Sequence, residues 1–287
     1  MFRKALKRHP VLGPILYQPF SKFAYQIRDR RKWKKRIKDV LACPDNSKLE
    51  RHPDAGKEID GVFIMHNGIR ILPHSYYGAE VRVQQMLEAT GGVHEPQEEL
   101  VYGSVLKHVP PSSTMIELGS NWGFYSLWFA HEVPDARNFL IEPDARYLEN
   151  GRKNFALNKR PATFHQAYVG KTSGVAEDGV ATVNVDDYCK TNGIEHVHLL
   201  HADIQGAEVD MLHGARRMID KGSVDWIFVS THDNAKHREC LHILKQLGYV
   251  ILAEADLDAT YSFDGIIAAK RPGLPGPDTV VISKKPV

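Results

Sequence analysis

Cysteine is scarce in this chain: 287 residues hold only Cys43, Cys189 and Cys240. Their odd number and the lack of any Cys-x-x-Cys pair exclude a disulfide framework and a cysteine zinc site. Such low use points to a reducing, cytoplasmic compartment. No stretch reaches 18 consecutive apolar residues, so a membrane-spanning helix is not expected. Pro10, Pro14 and Pro19 interrupt the apolar part of the N-terminus, which argues against a secretory signal. Internal repeats and low-complexity tracts are lacking as well. With 43% apolar and 25% charged residues, the composition is that of an ordinary soluble protein with a real core. The length suits one catalytic-size domain with an N-terminal extension.

Charge is unevenly spread. Residues 1–40 carry 13 Lys or Arg against Asp29 and Asp39, an excess of 11 positive charges. The remaining residues hold 24 basic and 33 acidic side chains, an excess of nine negative charges. The centre of the basic arm is the run from Arg28 to Arg36, with Trp33 inside it and Phe20, Phe23 and Tyr25 before it. Such an arm suits peripheral contact with an anionic membrane surface, or a solvated helix packed on the body. The acidic body and the absence of an Asn-Pro-Pro-Tyr motif disfavour nucleic acid as a partner.

Polar residues broken by Pro44, Gly56 and Gly61 read as a linker, so residues 1–60 are taken as extension and linker. Residues 61–73 read as two short strands around Asn67-Gly68, a hairpin signal. They open a cover segment, 61–94, in which His74-Ser75-Tyr76-Tyr77 would suit contact with an acceptor or simple loop packing. Helical spacing of Leu100, Val101, Val105 and Leu106 predicts a helix within 95–108. From there to 287 strands and helices alternate. Strands are expected at 114–118, 138–142, 163–169, 197–203, 224–231, 248–254 and 263–269, and helices near 124–132, 144–157, 186–192, 207–220 and 235–247. The pattern predicts an α/β fold with a mainly parallel sheet covered on both faces, its last two strands pairing as an antiparallel hairpin.

The first of these strands runs into Glu117-Leu118-Gly119-Ser120-Asn121-Trp122-Gly123. Glycine at 119 and 123 lets the backbone turn sharply and approach a ligand in the crevice above the sheet. The pattern is not Gly-x-Gly-x-x-Gly, the pyrophosphate fingerprint, and Glu117 would repel a pyrophosphate but suit a cation. Glu142 ends the second strand about 20 residues on, where an acid accepts hydrogen bonds from a ribose diol.

These features resemble the class I S-adenosylmethionine-dependent methyltransferases. Asp203-Ile204-Gln205-Gly206-Ala207-Glu208, followed by Met211-Leu212-His213-Gly214-Ala215, resembles the signature of the FkbM family within them. The resemblance covers roughly 95–270. It implies a Rossmann-like sheet of seven strands with the last antiparallel, and methyl transfer from S-adenosylmethionine, often to oxygen on a sugar or natural-product scaffold. It also implies that Gly119, Ser120, Asn121 and Gly123 line the methionine and ribose end, Glu142 the ribose, and Ala167-Tyr168 the adenine.

An alcohol acceptor is a poor nucleophile at neutral pH and needs a general base or a metal. Asp203 ends the fourth long strand, and Thr231-His232-Asp233-Asn234 ends the fifth. Three readings compete. His232 is a general base oriented by Asp203. Asp203, Asp233 and Asn234 hold a divalent cation such as Mg2+. Or His232 caps the next helix. Glu208 complements a helix N-terminus and, by the resemblance, shapes the active-site floor. His196, His198 and His201 alternate near one strand, but His198 and His201 point to opposite faces and do not form one ligand set. The expected function is O-methylation of a sugar hydroxyl or another hydroxylated small molecule. The alternatives are an NAD-dependent oxidoreductase and a binding protein that keeps the fold without turnover.

Overall fold

The computed structural model describes residues 33–73 and 81–286. The aromatic residues of the arm before Trp33 and the His74–Tyr77 segment lie outside the described residues. Two units are distinguished, Met1–Asp39 and Val40–Val287.

The larger unit is built on a seven-stranded sheet in the order β12-β13-β11-β10-β4-β5-β6. Its strands are β4 (Thr114–Leu118), β5 (Arg137–Ile141), β6 (Thr163–His165), β10 (Val197–Ala202), β11 (Val224–Thr231), β12 (Val250–Ala255) and β13 (Gly265–Lys270). Only β13 runs against the rest, pairing antiparallel with both β11 and β12. The expected α/β sheet and its final hairpin are therefore present. The strand order reverses between β4 and β10, and in open α/β sheets ligands bind in the crevice at that switch point.

Period-two alternation assigns the two faces. Ile116, Leu118, Leu200, Ala202, Ile227 and Val229 belong to one apolar cluster. It includes residues of α6 (Val185–Thr191), α7 (Glu208–Gly214), α8 (Arg216–Asp220) and α9 (Asn234–Gln246). The intervening positions Met115, Glu117, Leu199, His201, Trp226 and Phe228 face the other way. There α3 (Pro96–Leu106) and α4 (Phe124–Glu132) supply aromatics. Tyr102 lies 5.3 Å from Phe228 and Tyr125 lies 4.2 Å from His201, ring centre to ring centre. One face is thus plain aliphatic core, and the other carries buried acid and histidine.

Several elements differ from expectation for local reasons. The strand expected over 163–169 divides: β6 stays in the main sheet, while β7 (Tyr168–Val169) joins β9 (Ala181–Val183) and β8 (Gly174–Val175) in a small separate sheet. The helix expected over 207–220 breaks into α7 and α8. The hairpin around Asn67-Gly68 forms from β2 (Val62–Ile64) and β3 (Arg70–Ile71), with β1 (Glu58–Ile59) as a third strand. It is held to α5 (Ala145–Leu157) by Asn154 and Asn158, whose side chains bond the backbone at Leu72 and Arg70.

The linker expected through residue 60 belongs to the body beyond residue 39. Its 3-10 turn, Pro44–Lys48, carries the fully buried Asp45. That carboxylate accepts hydrogen bonds from Ser283 N at 2.7 Å and Ser283 Oγ at 2.9 Å. Ser283 O in turn accepts from Gln97 on α3, and Gln97 Oε1 accepts from Tyr261 N at 2.7 Å. The C-terminal segment therefore straps the turn, α3 and the β12–β13 loop together. Asp45→Ala leaves the Ser283 donors unpaired and should lower stability by about 1–3 kcal/mol. Urea unfolding measures it, and a change within the noise would deny the strap any structural weight.

Candidate active site

The loop after β4 folds over the C-terminal end of the sheet. Gly119, Asn121 and Gly123 all take positive φ, at 71°, 44° and 77°. A Cβ on residue 119 would lie 1.8 Å from the carbonyl oxygen of Asp203, so no other residue fits there without moving the backbone. Asp203 N donates to Leu118 O at 2.9 Å, which fixes the ends of β4 and β10 side by side. Trp122, large for such a loop, is buried and stacks on Phe124 at 5.3 Å and 14°.

Beside this loop lies a cleft lined in part by Glu95, Glu117, Ser120, Trp122, His201 and Asp203. Glu117 is buried and accepts from Ser126 N at 3.0 Å at the start of α4; burial pushes its carboxyl up to about 7. Glu142 ends β5, as expected. Its two oxygens accept from Asn121 N and Asp144 N, both at 2.9 Å, and burial raises its pKa. Ala167 is buried just past β6, and Tyr168 Oη donates to Asp178 at 2.8 Å.

The second half of the site sits over β10 and β11. His232 Nδ1 lies 2.6 Å from Glu208 Oε1, and its Nε2 lies 3.1 Å from Asp203 Oδ1 and 3.4 Å from Asp264 Oδ1. Burial opposes a charged ring here. The close carboxylate of Asp203 and the hydrogen bond to Glu208, with the added charge of Asp264, outweigh it and raise His232 from 6.5 to about 10. The His232–Asp203 pairing expected from the sequence is present, together with Glu208, but the ring is a held cation. Asp264, on the β12–β13 loop, was missed: it lies more than 30 residues from His232 and belongs to no motif.

The three-oxygen cation reading does not assemble. Asp233 caps α9 by accepting from Lys236 N at 2.8 Å. Asn234 bonds Asp258 at 2.7 Å and Leu257 N at 2.9 Å. Asp203 is engaged by His232. The group of described residues with metal-ligand spacing is elsewhere: His196, His198 and Asp225. His198 Nδ1 accepts from Thr114 N at 3.0 Å, which leaves the proton on Nε2, whereas a metal-bound histidine donates from its other nitrogen. As expected, His201 is apart from this pair.

Two buried atoms of the loop, Ser120 Oγ and Asn121 Oδ1, have no hydrogen-bond partner. Burying a polar atom unpaired is costly, so the loop is suited to a ligand that brings polar groups, as an amino-acid-bearing nucleoside does. Fold, loop and acidic strand end agree with the Rossmann-like S-adenosylmethionine-dependent methyltransferase class that the sequence resembles.

Comparison with known proteins narrows this class. The model of the FkbM methyltransferase domain matches residues 17–251, so the chain belongs to that family. The 2-O-methyltransferase NoeI of Sinorhizobium fredii is 25% identical over 183 residues, which are 50% of this chain and 75% of that protein. Among solved structures, precorrin-6y C5,15-methyltransferase from Geobacter metallireducens aligns with a TM-score of 0.42 and 14% identity over 60% of this chain and 87% of its own. TrmK of M. capricolum, in complex with S-adenosyl-homocysteine, gives 0.42 and 10% over 61% and 69%.

The imidazolium of His232 gains its partners only in the fold. Its contribution to stability is fully present below about 6.5 and is lost as the pH rises toward about 10. Wild type should therefore lose stability across that window relative to His232→Gln. Parallel stability–pH curves for the two would show that the ring is not held as a cation.

Proposed function

We propose that the chain methylates a hydroxyl oxygen on a sugar or another hydroxylated small molecule, with Asp203 as the proton acceptor. The contact between Asp203 and His232 beside the glycine loop carries this reading. When bound, the cofactor supplies a sulfonium methyl group open to in-line attack. The protein must hold the acceptor oxygen about 3 Å away in line with it. Asp203 lines the cleft, and its Oδ1 is engaged by His232. Its Oδ2 is left for the acceptor's proton. A ring that stays charged up to about 10 does not take that proton at neutral pH, so His232 orients Asp203 instead. Glu208, fully buried, holds the far side of the ring. The name of the Sinorhizobium relative, a 2-O-methyltransferase, supports oxygen as the acceptor atom. Residues 61–94 act as a cover and 95–287 as the catalytic body.

Asp203→Asn keeps the shape of the side chain and removes the base. Turnover should fall by ~10²–10⁴-fold with binding of S-adenosylhomocysteine retained. His232→Gln should cost less. The reverse order would make the histidine the base, and unchanged turnover in both would remove this centre from the chemistry. EDTA should leave turnover unchanged.

The basic arm supports a peripheral location on an anionic cytoplasmic membrane surface, each Lys or Arg near such a surface adding about 1 kcal/mol. No described helix is long and apolar enough to cross a membrane. The full chain should sediment with phosphatidylserine vesicles at low salt, and a chain lacking residues 1–32 should not. Equal sedimentation of the two would sink the membrane role.

A further inference from the structure

On the sheet face opposite the aliphatic core, two strand-end polar residues lie level with each other. Glu117 of β4 and His201 of β10 are register partners. His201 is 2% exposed and lines the cleft. Its Nε2 lies 2.8 Å from Glu98 Oε1, and Glu98 Oε2 accepts from Ser230 Oγ at 3.1 Å. The other ring nitrogen, Nδ1, is buried and has no hydrogen-bond partner. The ring of Tyr125 packs over the imidazole at 4.2 Å.

The brace and the ring act on each other: burial raises the Glu98 carboxyl, and the hydrogen bond to His201 opposes that rise. Burial opposes the imidazolium, but the hydrogen bond and the charge of Glu98 outweigh it and raise its pKa, with help from Glu117 and Asp203. A histidine ring has two nitrogens that can donate or accept. With Nε2 given to Glu98, Nδ1 is the ring nitrogen that no protein atom meets.

The rest of the cleft wall is rich in acid. Glu95, Glu117 and Asp203 all line it. Carboxylates suit the ammonium and sulfonium charges of the cofactor and would repel its carboxylate. The carboxylate of a ligand's amino-acid end needs a donor that stands among these acids.

We propose that His201, braced by Glu98, receives the carboxylate of the cofactor's methionine portion through Nδ1–H. This rests on the reading of the cleft as the S-adenosylmethionine site. Glu98 and Ser230 act behind it as positioning residues. They come from α3 and β11, more than 100 residues apart in sequence, and neither belongs to the Asp203–Ala215 signature.

Calorimetry with two probes tests this: S-adenosylhomocysteine, and its decarboxylated form, which lacks only the carboxylate. The wild-type chain should prefer the first by on the order of 10–100-fold, the effect of a charge-assisted hydrogen bond. His201→Gln should bring the preference toward one. Glu98→Gln, which leaves the imidazole in position without its charged brace, should lower it part of the way. Partial misfolding reduces binding of both probes together and leaves their ratio intact, so the ratio reads the carboxylate contact itself. An unchanged ratio in both variants would overturn the role of His201 while leaving the cofactor site standing. Failure of the wild-type chain to bind either probe would overturn the cofactor site and this assignment with it.

Discussion

Loop and strand meet at van der Waals limits where residue 119 passes the carbonyl of Asp203. A Cβ there would sit 1.8 Å from that oxygen. This single approach aligns the ends of β4 and β10, closes the loop over the switch point and puts the Asp203 side chain beside the cleft. Glu142 then reaches Asn121 N from the next strand, and His232 reaches Asp203 from the other side. Moving the loop outward by the width of a methyl group would separate the two halves of the site.

Around that junction, charge is organised by pairing in a place where water is excluded. Two histidines are held against carboxylates: His201 by Glu98 and His232 by Glu208 and Asp203. The partners of each ring oppose the cost of burial and raise its pKa, that of His232 to about 10. A buried pair broken on one side leaves an uncompensated charge, so these groups behave as units and not as separate residues. The division of labour follows. On the proposed assignments, the pair on α3 and β10 addresses the cofactor's polar end, and the cluster over β10 and β11 addresses the acceptor.

The scaffold that holds these pairs reaches well beyond the family signature. Helix α3 is anchored through Gln97 to the β12–β13 loop and the C-terminal strap, and the strap is fixed by Asp45. Asp264 sits on that same loop. Residues far from the chemistry therefore set the position of Glu98 and Asp264.

Much of the fold was legible in the sequence, because alternation of short apolar runs with amphipathic stretches leaves little choice but a covered parallel sheet. Gly119 was legible too, since the close approach to the Asp203 carbonyl demands glycine there, and Glu142, Asp203 and Glu208 stand at the strand ends and helix start where the sequence pattern put them. The carboxylates around His232, the separate engagements of Asp203, Asp233 and Asn234, and the contacts of Glu98, His201 and Asp264 were not. Charge state and coordination depend on neighbours brought together across more than 100 residues in the case of Glu98 and His201, and on burial that no local pattern encodes. The sequence by itself determined the class of sheet, the loop that crosses it and the family. Only the tertiary structure decided which acids face which histidines, because pKa and proton position follow distance and solvent exclusion and not order along the chain.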